Sequence, residues 1–404
     1  MYKLQDLQSE LEKELGPILK YLWHKDYYVT LVGGAVRDYF LFGKLSHDLD
    51  FEIRNTKNIH GHEWALELSH LFKDWPFQKK VEKLPYSIYR FSYQGYDLEF
   101  SSPRKETFIS GRVDHKNFEV TLMGESSYID SFCRRDFTIN AIGVELKNSV
   151  ALVIDPFEGV KDLEQKILRP ISHDFIQDPV RFLRAIRFHF QLNLELGSEL
   201  QQEMKLMDLS RITPYYIKTE MMKSPDAARF WSYFKKLCLE FNTPLATDLK
   251  NLFSLEVGEE RILTLEEWVI SCHLKKPLSK DQFKTLINYF QLSESKLKIL
   301  LSFYDHIKIL KLIDLKILRM KSEKEALHDP ALLLLLELKE LSHKLKGKDL
   351  HFGLSKVEIE LLNSLELEHL RGQDEARKLM KSHKIPETYT SLIKLYVHLK
   401  LLPL

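Results

Sequence analysis

At 404 residues the chain has room for two to four domains of about 100–200 residues each. Its 44% hydrophobic and 29% charged content suits a soluble globular protein. The formal net charge of +1 excludes nucleic-acid binding through a global positive field and leaves that task to local basic patches.

The N-terminal MYKLQDLQSELEKELG alternates polar and apolar residues and lacks an apolar stretch, so no signal peptide is expected. Tyr27 to Val32 (YYVTLV) is aromatic and β-branched, reads as a strand, and ends at Gly33-Gly34. Leu49 to Ile53 (LDFEI) and Tyr96 to Phe100 (YDLEF) alternate as strands do, and so does Phe118 to Leu122 (FEVTL). Ala141 to Leu146 and Ala151 to Ile154 are further strands, followed by a turn at Asp155 to Gly159 (DPFEG). After about residue 160 helical spacing takes over. Helices are expected over Phe182 to Phe190, opened by Asp178-Pro179, then over Phe230 to Phe241, Leu263 to Leu274, Lys280 to Tyr289 and Ala331 to Leu345. No tandem repeat shows. The most apolar run, Pro330 to Leu336, is too short to span a bilayer, so no membrane association is expected. Cys133, Cys238 and Cys272 lie far apart, which argues against a zinc cluster and a disulfide framework. The expectation is a cytoplasmic α+β protein: a mixed sheet with helices first, an all-helical region after it.

Asp48 and Asp50 stand in HDLDFEI. Residues i and i+2 of a strand share a face, so both carboxylates project together. Such a pair repels itself unless a cation lies between, and hard oxygen ligands suit magnesium. A solvated strand face has the same pattern, so the pair alone decides nothing. Upstream, LVGGAVRD reads as strand, Gly-Gly turn and helix start, where a backbone approaches phosphate closely. The spacing is neither a dinucleotide G-x-G-x-x-G nor a P-loop: a P-loop ending at Gly43-Lys44 needs glycine at Asp38, and Ser46 comes one place late. Glu99 is a single acid on an otherwise apolar strand, either an edge-strand acid facing water or a third carboxylate of the site.

LVGGAVRDYFLFGKLSHDLDFEI resembles the first motif of the class II tRNA nucleotidyltransferases and bacterial poly(A) polymerases, in the DNA polymerase beta superfamily. Gly33, Gly34, Arg37, Asp38, Asp48 and Asp50 match its GG-x-x-R-D and D-x-D pattern, and Glu99 resembles the superfamily's third carboxylate. The resemblance implies magnesium on Asp48 and Asp50, with Asp48, Asp50 and Glu99 catalytic, and two-metal nucleotidyl transfer to an RNA 3′-hydroxyl.

Cys133 to Ala141 (CRRDFTINA) pairs two arginines, suited to a triphosphate, with an acid and an amide, suited to ribose hydroxyls. It resembles the family's second motif, which assigns nucleotide binding to Arg135, Asp136 and Asn140, with Arg134 beside them. In IQDPVRFLRAIRF, Asp178 and Arg181 share a helix face at i and i+3, and Arg184 and Arg187 continue the register. An amphipathic helix with a salt-bridged basic face fits equally. The segment resembles the family's E-D-x-x-R motif, whose Asp and Arg read the edge of the incoming base. A mismatched base leaves a buried group unpaired, at about 1–3 kcal/mol, and so favours CTP and ATP. Here Gln177 replaces the usual Glu, which puts the orientation of Arg181 in question. Glu220 and Lys223 resemble an acidic-basic pair supporting that helix. Arg104, Glu106, Arg112 and Asp114 lie in a charged loop that in the family switches from C to A addition. His173-Asp174 and His328-Asp329 read as structural pairs. Lys344, Lys346, Lys348, Arg371, Lys378, Lys381 and Lys384 are either phosphate contacts or solvated faces.

The resemblance thus implies a nucleotidyltransferase head over 1–155, a helical neck with the base-reading helix over 156–230, and a tRNA-binding body and tail over 231–404. The expected activity is addition of C and A from CTP and ATP to the tRNA acceptor end. The alternatives are a CC- or A-adding enzyme, a poly(A) polymerase, or a non-catalytic RNA-binding protein on the same scaffold.

Overall fold

The computed structural model describes residues 4–54, 81–108, 118–123, 126–147, 150–257, 262, 264–294 and 300–301. The expected helix at 331–345, loop residues Arg112 and Asp114, the His328-Asp329 pair and the C-terminal cations lie outside the described residues. The chain divides into two compact units, Met1–Ile212 with Lys236–Ala246, and Thr213–Lys235 with Thr247–Leu404.

The first unit opens with α1 (Leu4–His24), β1 (Tyr28–Val32), α2 (Gly34–Phe42) and β2 (Asp48–Arg54). Then come β3 (Glu82–Leu84), β4 (Ile88–Tyr93), β5 (Tyr96–Ser101), β6 (Arg104–Phe108), β7 (Phe118–Leu122) and α3 (Tyr128–Phe132). They are followed by β8 (Gly143–Lys147), β9 (Val150–Ile154), α4 (Gly159–Gln165), β10 (Ile167–Leu168), α5 (Val180–Leu192), β11 (Glu195–Leu196) and α6 (Ser198–Lys205). Among the described residues seven strands form one sheet in the order β3-β4-β5-β2-β1-β8-β9. Its pairs are antiparallel except β2 with β5. The alternation in β2 sorts its two faces: Leu49, Phe51 and Ile53 are buried while Asp48 and Asp50 reach solvent. Phe51 stacks on Phe100, and Phe100 on Phe91, at 5.0 and 5.5 Å between ring centroids. α1 lies against β1 and β9, and α2 against β1 and β2.

Two expectations change here. β5 is interior, between β4 and β2, so Glu99 is not an edge-strand acid. The charged segment after Glu99 is no plain loop either, because β6 pairs antiparallel with β7 from Arg104↔Leu122 to Phe108↔Phe118.

The described residues of the second unit form helices: α7 (Pro214–Lys223), α8 (Ala227–Glu240, which from Lys236 on belongs to the first unit), α9 (Thr247–Leu252), α10 (Leu265–Lys275) and α11 (Lys280–Tyr289). Its core is aromatic. Trp231 meets Trp268 edge-on at 5.0 Å and Phe253 at 5.7 Å, and Trp268 meets Phe290 at 5.4 Å. No helix among the described residues is long and apolar enough to cross a membrane.

Candidate active site

Asp48 and Asp50 face a cavity of about 580 Å³, lined also by Glu82, Arg90, Phe91, Ser92, Asp97 and Glu99. Cross-strand register builds its floor. Asp50 stands opposite Glu99, Glu99 opposite Arg90, and Arg90 opposite Glu82. Asp48 likewise stands opposite Asp97, whose carboxylate accepts from Ser92 Oγ at 2.5 Å. Asp50 reaches solvent on one side and is walled by protein on the others. Burial and the nearby Glu99 push its acid up to about 6, further than Arg135 draws it down. An uncompensated carboxylate beside a second one is the donor chemistry of a divalent-cation site, and these residues fit such an ion. Glu99 is partly neutralised by Arg90, whose Nε donates to it at 2.7 Å. Among the described residues no group of three or more His, Cys, Asp or Glu side chains is arranged to hold a metal.

Gly33 explains the Gly-Gly turn. Its φ is +77°, and a Cβ there would lie 3.2 Å from Arg135 Nη1 and 3.4 Å from Asp50 Oδ2. Only glycine takes that backbone conformation cheaply while letting the arginine and the aspartate close over it. Gly34 opens α2, whose first turn carries Arg37.

Arg135 is partly exposed, but its guanidinium is enclosed, and that burial followed by neighbouring Arg134 lowers its pKa to about 10. Its Nη1 donates to the main-chain O of Asn140 at 3.0 Å. The buried Nε atoms of Arg134 and Arg135 have no hydrogen-bond partner among the described residues. A cationic donor beside an acidic pair, Arg135 next to Asp50, suits a phosphate chain bridged to a cation.

A buried relay links the three motifs. Arg37 Nη1 donates to Asn140 Oδ1 at 2.7 Å, Asn140 Nδ2 to Asp136 Oδ1 at 2.9 Å, and Arg184 Nε to Asp136 Oδ2 at 2.6 Å. Burial alone would raise the acid of Asp136, but Arg184 and the Asn140 amide outweigh it and hold it at about 2. Asp136 is therefore a fixed anion at neutral pH. Asp178 Oδ1 accepts from the Val180 amide at 2.9 Å, just before the start of α5. Arg181 Nε lies 3.9 Å from Asp178 Oδ2. Arg187 donates to Gln191 at 3.0 Å and lies over the Phe188 ring, which Arg37 and Arg184 also flank. His173 meets Glu203 at 2.8 Å, and Lys223 lies 3.8 Å from Glu220.

Sequence reasoning missed Arg90, the partner of Glu99. Its signal was present: Gln94-Gly95, both at positive φ, closes the β4–β5 hairpin and puts Arg90 opposite Glu99. It also missed that Glu106 holds Arg134, at 3.3 Å, and Arg104, at 2.9 Å, which ties β6 to the second motif. The bond from Arg184 to Asp136 joins residues 48 apart and had no local signal.

Residues 29–169 match the family model described as the poly A polymerase head domain. The chain is 24% identical to the CCA-adding enzyme of Staphylococcus epidermidis over 339 residues, covering 75% of this chain and 79% of the relative. It is 32% identical to the CCA-adding enzyme of Francisella tularensis subsp. tularensis, covering 51% and 54%. It is also 32% identical to the A-adding tRNA nucleotidyltransferase of Aquifex aeolicus, covering 43% and 20%. The chain spans about half the length of several of these relatives, and less of the Aquifex protein. Among solved structures, a CCA-adding enzyme in apo form I aligns with TM-score 0.58 at 19% identity, over 93% of this chain and 88% of that one. A tRNA-processing enzyme with CTP aligns with TM-score 0.55 at 22% identity, over 94% and 99%. These two likenesses are of fold. The acidic pair and the arginine facing it both lie within the segment that matches the head-domain model. Residues 29–169, about a third of the chain, are thus similar to a poly A polymerase head domain, and the similarity to CCA-adding enzymes extends beyond that segment.

Proposed function

We propose that this protein is a cytoplasmic tRNA nucleotidyltransferase that adds C and A, from CTP and ATP, to the tRNA 3′ end without a nucleic-acid template. The observation that supports this reading is the approach of Asp50 and Arg135 to one another over Gly33, an acid suited to a cation beside a base suited to phosphate. Magnesium held by Asp48 and Asp50 would supply Lewis-acid activation of the attacking hydroxyl and of the α-phosphate. Arg135, with Arg134, binds the triphosphate and balances the charge that moves to pyrophosphate. Asp136 and Asn140, fixed by Arg184 and Arg37, accept and donate at the ribose hydroxyls. Asp178 and Arg181 present acceptors and donors to the base edge, while Arg184 and Arg187 complete the basic side of α5. Glu99, held by Arg90, keeps the acidic floor in place beside Asp50. The head over 1–155 and the neck over 156–230 supply chemistry and base choice, and 231–404 grips the tRNA acceptor arm.

The test is incubation of the full chain with tRNAs ending in the discriminator base, in C or in CC, with each nucleotide singly and with all four. Growth to CCA on all three supports the reading. Arrest after CC, growth only from CC, or long A tracts identify a CC-adding enzyme, an A-adding enzyme or a poly(A) polymerase. Binding of tRNA with no incorporation identifies a non-catalytic RNA-binding protein.

A further inference from the structure

Gln177 stands where the E-D-x-x-R pattern carries a glutamate, and a carboxylate there is one way to aim Arg181. In this structure Arg181 is aimed by other means. Its Nη1 donates to the main-chain O of Asp174 at 3.1 Å and its Nη2 to the main-chain O of Arg134 at 2.9 Å. Its guanidinium carbon lies 6.0 Å from the centre of the Phe175 ring. The side chain is buried, and Gln177 shares no hydrogen bond with it.

Both carbonyls are held firmly. Asp174 sits in the 3₁₀ turn His173–Gln177, where the Phe175 amide donates to Ser172 O at 3.1 Å and the buried Phe175 ring packs 5.5 Å from Phe137. Arg134 sits in a turn closed by the Arg135 amide donating to Phe132 O at 3.0 Å, with Phe132 fully buried. A main-chain carbonyl does not titrate and cannot swing to another rotamer. A rigid guanidinium fork bridging two of them, from two separate segments, has its plane fixed. Two of its five N–H groups are used, which leaves three for Asp178 and a base edge.

We infer that the main-chain carbonyls of Arg134 and Asp174, rather than a charge at position 177, orient Arg181 for nucleotide choice in this protein. The inference rests on the reading of this pocket as a CTP and ATP site. It also gives Arg134 a second duty: its side chain pairs with Glu106 while its carbonyl steadies the base reader. Base choice therefore tolerates loss of the Arg134 side chain.

The test is calorimetric titration of the full chain with CTP, ATP, UTP and GTP, each with magnesium, reading the affinity ratio of CTP to UTP and of ATP to GTP. Gln177→Glu and Gln177→Ala should leave both ratios within about twofold of wild type. Arg134→Ala should weaken all four nucleotides alike and keep the ratios. Arg181→Lys keeps the charge but cannot span both carbonyls, and should cut the ratios by about fivefold or more. Sharpening of the ratios by about tenfold in Gln177→Glu, or ratios intact in Arg181→Lys, overturns the inference while the pocket reading stands. Should Arg181→Lys not fold, the two Gln177 variants decide alone. A wild-type protein that binds no nucleoside triphosphate overturns the pocket reading and this inference with it.

Discussion

Between pH 5 and pH 7.5 Asp50 changes charge, because burial and Glu99 hold its acid at about 6. Its folded pKa lies above the unfolded one. The penalty on the metal-free fold therefore sets in as pH rises from about 4 and is complete above about 6. A divalent ion relieves that penalty but must displace a proton below it. Magnesium should thus raise the melting temperature more at pH 7.5 than at pH 5; an equal or larger rise at pH 5 contradicts the assignment of Asp50. Asp48→Ala and Asp50→Ala should each lower nucleotide addition by about a thousandfold or more, since a lost metal site forfeits several kcal/mol of charge stabilisation. Their tRNA affinity should stay near wild type, and filter binding beside single-turnover incorporation reads both. Gly33→Ala adds a Cβ between Arg135 and Asp50 at positive φ. That strain costs about 1–2 kcal/mol, and nucleotide affinity should fall with it.

At the scale of elements, α4 and the 3₁₀ turn Thr138–Asn140 are packed so closely that a Cβ on Gly159 would lie 2.2 Å from Thr138 O. Gly159→Ala must move one against the other, costing about 1–3 kcal/mol or more. That turn carries Asn140, so CTP affinity and melting temperature should drop together; a lower melting temperature with unchanged CTP affinity would show that the turn yields elsewhere. β1, β2, β5 and α5 were legible because each carries its signal within a short segment: alternation in LDFEI and YDLEF, and arginines at helical spacing in VRFLRAIRF. β6 was not. RKETF is polar up to Phe108 and shows no alternation, and it forms a strand by pairing with FEVTL. The motif residues were legible one by one, but not their partners. Arg90 finds Glu99 through strand register, and Arg184 finds Asp136 through the packing of α5, so these pairings depend on tertiary structure.

For the whole molecule, the expected neck boundary at 230 falls inside α8. The first compact unit takes back Lys236–Ala246. In it the Leu209 amide donates to Pro244 O at 3.0 Å, Leu209 bridges Leu245, and Lys205 lies over the buried Phe241 ring. A chain ended at 230 loses these, and burial of Phe241 alone contributes about 2 kcal/mol. It should melt at least about 4 °C below a chain ended at 246. Equal melting would mean that 236–246 contributes nothing to the first unit.

The parallel pairing of β2 with β5 also sets an order of assembly. β4 and β5 meet across a two-residue turn and can pair early, whereas Ser101 Oγ reaches back to Phe51 O over fifty residues of chain. Asp50 and Glu99 come face to face only when that long closure is made. Their mutual repulsion is then met after the hairpin has formed, not with it. A nascent or partly unfolded chain can thus hold its hairpin without holding the acidic floor, which exists only once β2 has docked beside β5.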